Sequence, residues 1–168
     1  MNTEQNNQEA ANGTSLDFIA IGDMVIDAFI RLNDDSKARV IDKENGGREL
    51  ALPFGDKIPF EFAEEVVAVG NSANAAVAAA RLGLSSGLVV NVGKDRDGEK
   101  CITQLNLENV STAFVKEYEG KKTNYHYVLW YKDERTILIK HETFDYTLPD
   151  IGSGATAPKC MYLSSISE

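Results

Sequence analysis

The sequence predicts an α/β domain that carries a separate small antiparallel β-sheet, and three observations lead there. A short apolar run at 18–21 stops at Gly22–Asp23, as a buried parallel strand stops at its carboxyl end. An alanine-rich stretch at 71–82 lies between that run and a β-branched one at 88–92, which gives strand, helix and strand in order. From residue 112 onward the pattern changes to short strands separated by Gly- and Asp-containing turns.

Composition narrows the class. The chain has 168 residues, 43% hydrophobic, which suits one domain with an ordinary soluble core. Lys and Arg number 17 against 26 Asp and Glu, and a net charge of −9 without any basic patch argues against nucleic acid as a partner. The longest apolar run, 75–80, is too short to span a bilayer. Cys101 and Cys160 are far apart and lack metal-ligand spacing, so a reduced, cytoplasmic setting is expected.

Taken in order, residues 1–15 are polar and expected to form a disordered leader. Strand 18–21 follows, then a second apolar run at 24–32 with Asp27 inside it. Residues 33–47 turn to Asp, Lys, Asn and Gly and read as an exposed loop. Segments 48–52, 57–62 and 64–69 read as short strands, and Pro53 and Pro59 between them point to a sheet edge. The helix at 71–82 is opened by an Asn71 or Ser72 cap and closed by Gly83 at the left-handed position after the last turn. A strand at 88–92 leads to a second helix at 97–106, with Asn109 closing its exit. Strands at 113–118, 124–131 and 136–140 form the antiparallel patch. A Gly/Pro-rich connection at 145–159 precedes another buried strand at 160–163.

Two places have the residue types for recognition chemistry. Gly70-Asn71-Ser72-Ala73-Asn74 joins a strand to a helix, where free backbone N–H groups and the positive dipole end point outward. Gly70 admits a ligand close to the backbone, and the amides of Asn71 and Asn74 both donate and accept, which suits hydroxyl groups. A plain strand-to-helix turn with Asn caps explains the same residues. Asp27 sits among Val25, Ile26, Ala28, Phe29 and Ile30, where a carboxylate needs partners. Polyol hydroxyls at a cleft would supply them, and so would backbone groups in a local turn. Gly93 to Gly98 lacks Walker spacing, and Asp95 and Asp97 would repel phosphate, so it reads as a turn capping the next helix. His126 and His141 show no ligand spacing and no metal set is found. Tyr125, Tyr127, Leu129 and Tyr131 share one strand face, a stripe that suits sheet packing or a ligand platform.

The order of these signals is more specific than any one of them. Ile19-Ala20-Ile21-Gly22-Asp23 with Asp27, then Val69-Gly70-Asn71-Ser72-Ala73-Asn74 with Arg81-Leu82-Gly83, then Gly93-Lys94-Asp95 with Gly98, resembles the ribokinase (PfkB) family of sugar and nucleoside kinases. The resemblance implies a partial ribokinase-like Rossmann-type sandwich with a small antiparallel β-lid, its strands near 48–69 and 113–140, over residues 16–168. It implies ATP-dependent phosphorylation of a sugar or nucleoside hydroxyl, ATP and Mg2+ as cofactors, and dimer contact through the lid as in several members. By position, Asp27 matches the acid that binds substrate hydroxyls, and Gly70, Asn71 and Asn74 match the helix-entry residues that contact the sugar.

Three departures qualify it, one being that the 33–47 loop is longer and more charged than a bare sugar kinase requires. Val69 stands where the family usually has a first glycine. The family's Asp-Thr-x-Gly-Ala-Gly-Asp signature, which supplies the catalytic base and anion cradle, is absent, and Asn-x-x-Glu spacing occurs only at Asn6–Glu9 in the polar leader. Gly152 to Thr156 is no substitute, having no Asp and preceding a strand. No catalytic residue is therefore assigned, and the chain reads as the N-terminal, acceptor-binding part of a kinase, inactive alone. The alternative is a non-catalytic half-length protein that binds a ligand or dimerises through its lid.

Overall fold

A computed structural model describes residues 15–35, 37–153 and 157–166. The expected leader falls outside the described residues except for Ser15, and so do residues 154–156 of the Gly-rich connection. In chain order the described elements are β1 (Phe18–Ile21), β2 (Val25–Leu32), β3 (Arg39–Asp42), β4 (Arg48–Ala51), β5 (Phe60–Val69), α1 (Asn71–Arg81), β6 (Ser86–Gly93), α2 (Arg96–Leu107), β7 (Val110–Ser111), β8 (Val115–Tyr118), β9 (Tyr125–Tyr131), β10 (Glu134–Leu138) and β11 (Cys160–Leu163). They form two compact units, divided after Ile26, Val66, Asn124 and Lys140.

The first unit is the α/β part. Its sheet runs β11-β1-β6, and the far edge of β6 takes β7 near its start and β8 near its end; every pair is parallel. β1 lies between β11 and β6, with Ile19 opposite both Met161 and Gly87. Ile19, Ala20, Leu88, Val90 and Val92 are buried, as expected for central parallel strands. α1 packs on β1 and β6 through Ala73, Ala76 and Ala79. With only methyl groups between helix and sheet, the Ser86 hydroxyl of β6 reaches the helix backbone and donates to the Ala76 carbonyl at 2.8 Å. Gly83 follows α1 at φ 88, and Asn109 adopts φ 59, both as their residue types predict.

α2 is capped by Asp95, which accepts from Gly98 N at 2.9 Å and from Thr123 Oγ1 at 2.8 Å. This bears out the structural reading of the Gly93–Gly98 turn. Beyond its last turn, Glu108 takes a two-pronged contact from Arg81, Nε at 2.7 Å and Nη2 at 2.5 Å, which ties the ends of the two helices.

Three local expectations change here. The α1 N-cap is Gly70 with no side-chain cap, because the Ser72 hydroxyl turns inward to another acceptor described below. Segment 113–118, expected with the antiparallel strands, pairs in parallel with β6. Strand 160–163 is exposed along its length, although an apolar run predicts burial. It is the last strand of the sheet path, and an edge strand is covered only where another layer reaches it.

The second unit is all β. A four-stranded sheet runs β10-β9-β2-β5, beside a two-stranded antiparallel ribbon of β3 and β4. β9 and β10 are antiparallel from Tyr131↔Glu134 to Tyr127↔Leu138, joined through Lys132 at φ 54. Leu32, Ala38 and Tyr131 form the buried cluster, packed by Ile30, Leu50 and Ile58, and the Tyr131 hydroxyl donates to the Ala38 carbonyl at 3.1 Å. The expected loop at 33–47 thus contains a strand: Arg39-Val40-Ile41-Asp42 is exposed on every residue yet pairs residue for residue with β4. The strands expected at 57–62 and 64–69 are one strand beginning after Pro59, and it lies at the sheet edge as the prolines suggested.

Candidate functional site

In the first unit, the entry to α1 is built on the backbone of Asp23. Gly70 has φ 112 and ψ 163, and a Cβ there would stand 2.9 Å from the Asp23 carbonyl oxygen and 3.7 Å from Met24 Cα. Only glycine fits such a conformation and such an approach. The fully buried Ser72 donates its hydroxyl to the same carbonyl at 2.7 Å. The Asp23 carboxylate accepts from the Tyr146 hydroxyl at 2.7 Å and lies 3.9 Å from His141 Nδ1. Asp23 N donates to Ser165 O at 3.1 Å, so one residue joins the exit of β1, the entry of α1, the exit of β11 and the 141–146 segment.

That framework fixes α1 while leaving its first turn open. No side chain caps it and no acidic residue occupies its first turn, so its leading N–H groups face outward with the positive end of the dipole. Asn71 and Asn74 are both exposed and three residues apart, hence on one helix face. Their side-chain amides have no hydrogen-bond partner among the described residues. A turn that can hold hydroxyl oxygens and donate to or accept from neighbouring hydroxyls is the result. The route to this geometry has one strained step. Ala68, buried, takes φ 55, a conformation that costs a non-glycine residue roughly 1–2 kcal/mol.

The start of α2 offers nothing similar. Its Gly98 N–H is occupied by Asp95, and Asp97 and Glu99 add negative charge to the first turn. Burial opposes ionisation of Asp95. The hydrogen bonds from Gly98 and Thr123 and the nearby Lys122 outweigh it and hold the carboxyl below its ordinary range.

Asp27 belongs to the second unit and is the third residue of β2. It is not in a turn. Its side chain is 24% exposed, and Oδ1, shielded from solvent, lies 3.3 Å from His126 Nδ1 on β9 but accepts no hydrogen bond. Four residues further along both strands, the Arg31 guanidinium stacks 4.7 Å from the Trp130 ring. The structure thus groups Gly70, Asn71 and Asn74 at one helix entry and gives Asp27 a partner within its own unit. His126 has no metal-ligand spacing to mark it in the sequence. Alternation along 125–131 puts His126 with Val128 and Trp130, but nothing local fixes which residue of β2 faces it.

The first unit is a parallel α/β sheet with an uncapped, Gly-led helix entry, and the second holds an antiparallel ribbon and a four-stranded sheet. The pfkB family carbohydrate kinase signature matches residues 55–150, more than half of the chain, and the chain belongs to that family. An uncharacterized sugar kinase of Pyrococcus horikoshii is 37% identical over 84 residues, covering 49% of this chain and 27% of that protein. The nucleoside kinase of Methanocaldococcus jannaschii, an archaeal member of the ribokinase family, superposes with a TM-score of 0.57 at 18% identity, covering 76% of this chain and 38% of that one. Arabidopsis thaliana ribokinase, solved with ribose and ATP, gives 0.56 at 21% identity, covering 76% and 36%. These two show the ribokinase-like fold. The chain spans about a quarter of the curated relative and just over a third of each solved protein.

Proposed function

We propose that this chain carries the acceptor-binding portion and β-lid of a kinase that transfers the γ-phosphoryl of ATP to a hydroxyl of a sugar, nucleoside or related polyol. The observation that carries the reading is the open entry of α1. Its amides are uncapped, its glycine is pressed against the Asp23 carbonyl, and Asn71 and Asn74 present free side-chain amides. In this reading Asp27 accepts hydrogen bonds from acceptor hydroxyls, Asn71 and Asn74 orient the acceptor, and Gly70 lets it approach the backbone. Orientation of this kind lowers the barrier by fixing the attacking oxygen in line, and the lid keeps water from competing.

ATP and Mg2+ would supply the phosphoryl group and the charge that neutralises it. The start of α2 is filled by carboxylates, and no cluster of three His, Cys, Asp or Glu side chains suited to a metal occurs among the described residues. In this proposal nucleotide binding and the catalytic base come from polypeptide other than these residues, and the 168-residue chain does not phosphorylate sugars by itself. Radiolabelled phosphate transfer from ATP to ribose, fructose and adenosine tests this. Transfer by the 168-residue chain alone contradicts it.

Dimer contact through the lid is part of the same proposal. Phe60, Phe62, Tyr127, Ile137 and Leu138 of the second unit are exposed apolar residues on its strands, a composition that suits association. Sedimentation of the chain as a monomer at high concentration removes that part.

A further inference from the structure

The strongest feature unused so far is the cross-strand pair of His126 and Asp27. A carboxylate set among apolar neighbours needs a partner, and the one cation on the same strand as Asp27, Arg31, is engaged elsewhere. Arg31 is shared by Asp34 at 3.5 Å, Glu61 at 3.7 Å and the face of Trp130. Glu65, on the edge strand, receives the Tyr125 hydroxyl at 2.8 Å. Among the described residues the ionisable neighbour of Asp27 is His126, whose side chain is only 13% exposed. At 3.3 Å the imidazole lies against Oδ1, which is shielded from solvent, while 24% of the Asp27 side chain stays exposed.

Resting on the reading of Asp27 as an acceptor-binding residue, we propose that His126 is its positioning residue: the imidazole holds the Asp27 carboxylate in the orientation that receives a hydroxyl of a neutral polyol. The exposed part of the Asp27 side chain, away from the shielded Oδ1, is where that hydroxyl donates. An anionic acceptor would meet the carboxylate instead, so the pair selects hydroxyl-rich neutral compounds over sugar acids at this position.

The test has two arms. In the complete kinase, His126→Phe raises the KM for ribose or adenosine about tenfold with kcat changed less than about twofold, and His126→Gln restores most of the loss by supplying a donor. In the ligand-free 168-residue chain, the NMR titration midpoint of the His126 ring falls by roughly half a pH unit or more in Asp27→Asn. Glu65 and Lys140, the charged groups on neighbouring segments, are common to both proteins. A wild-type KM in His126→Phe, or an unmoved titration midpoint, overturns the proposal while leaving Asp27 its role. A wild-type KM in Asp27→Asn overturns both. Should Asp27→Asn fail to fold, Asp27→Ser gives the same comparison.

Discussion

Replacing Gly70 with alanine tests the helix entry most sharply, because the structure supplies both parts of the cost. At φ 112 and ψ 163 the backbone is in a region that L-residues rarely occupy, which costs on the order of 1–3 kcal/mol. The new Cβ would also stand 2.9 Å from a backbone oxygen, and backbone cannot swing away as a flexible side chain can. Relief requires shifting the Asp23 peptide, to which the buried Ser72 hydroxyl is bonded at 2.7 Å. Crowding of this kind adds about 1–2 kcal/mol. A loss near 3 kcal/mol follows, or a Tm lower by roughly 6–12 °C for a chain of this size. Urea unfolding followed by far-UV circular dichroism measures it. Ala68→Gly is the internal control: at φ 55 it should keep or raise stability, by up to about 1 kcal/mol. If Gly70→Ala unfolds within about 0.5 kcal/mol of wild type, the close approach to Asp23 is not what demands a glycine.

Further outcomes follow from the same geometry. Asp95→Ala removes the cap of α2 and its bonds to Thr123, and should cost about 1–3 kcal/mol at neutral pH. Because the folded-state pKa of Asp95 is depressed, its contribution is complete above the ordinary value of 3.8 and is lost as pH falls through the folded-state value. The stability gap between wild type and Asp95→Ala, followed by urea titration at descending pH, should therefore narrow only in acid. Ser72→Ala should cost about 1–2 kcal/mol by leaving the Asp23 carbonyl without its donor, which thermal melts will show. Burial pushes the Cys101 thiol up to about 11, whereas Cys160 is exposed. Iodoacetamide at about pH 8 should label Cys160 in the native chain and both cysteines after unfolding, read by peptide mass spectrometry.

How much of this was legible depends on whether the cause is local. Gly83 and Asn109 were placed correctly because a left-handed residue after a helix is a property of a few consecutive positions. The α1 boundaries follow from alanine content and Gly83 in the same way. Its cap was misread because Asn71 and Ser72 both look like caps, and only the position of the Asp23 carbonyl, 49 residues distant in sequence, turns Ser72 inward. Strand β3 was hidden because all its side chains are exposed and show no alternation of burial. For β11 the apolar residues predict burial and the strand is exposed, because burial depends on a covering layer that sequence pattern does not report. The pairing of His126 with Asp27 needs the register of two strands 99 residues apart in sequence, which no local signal carries. Family resemblance did reach Gly70, Asn71 and Asn74 as a group, and their shared helix entry follows from adjacency alone.

The central claim is that Asp27 receives the hydroxyls of the acceptor. The acceptor KM of Asp27→Ala in the complete kinase, measured with ribose and with adenosine, tests it directly. Loss of a charged hydrogen-bond acceptor predicts a KM raised about 10- to 100-fold. A KM equal to that of the unmodified enzyme for whichever compound it phosphorylates would contradict the account.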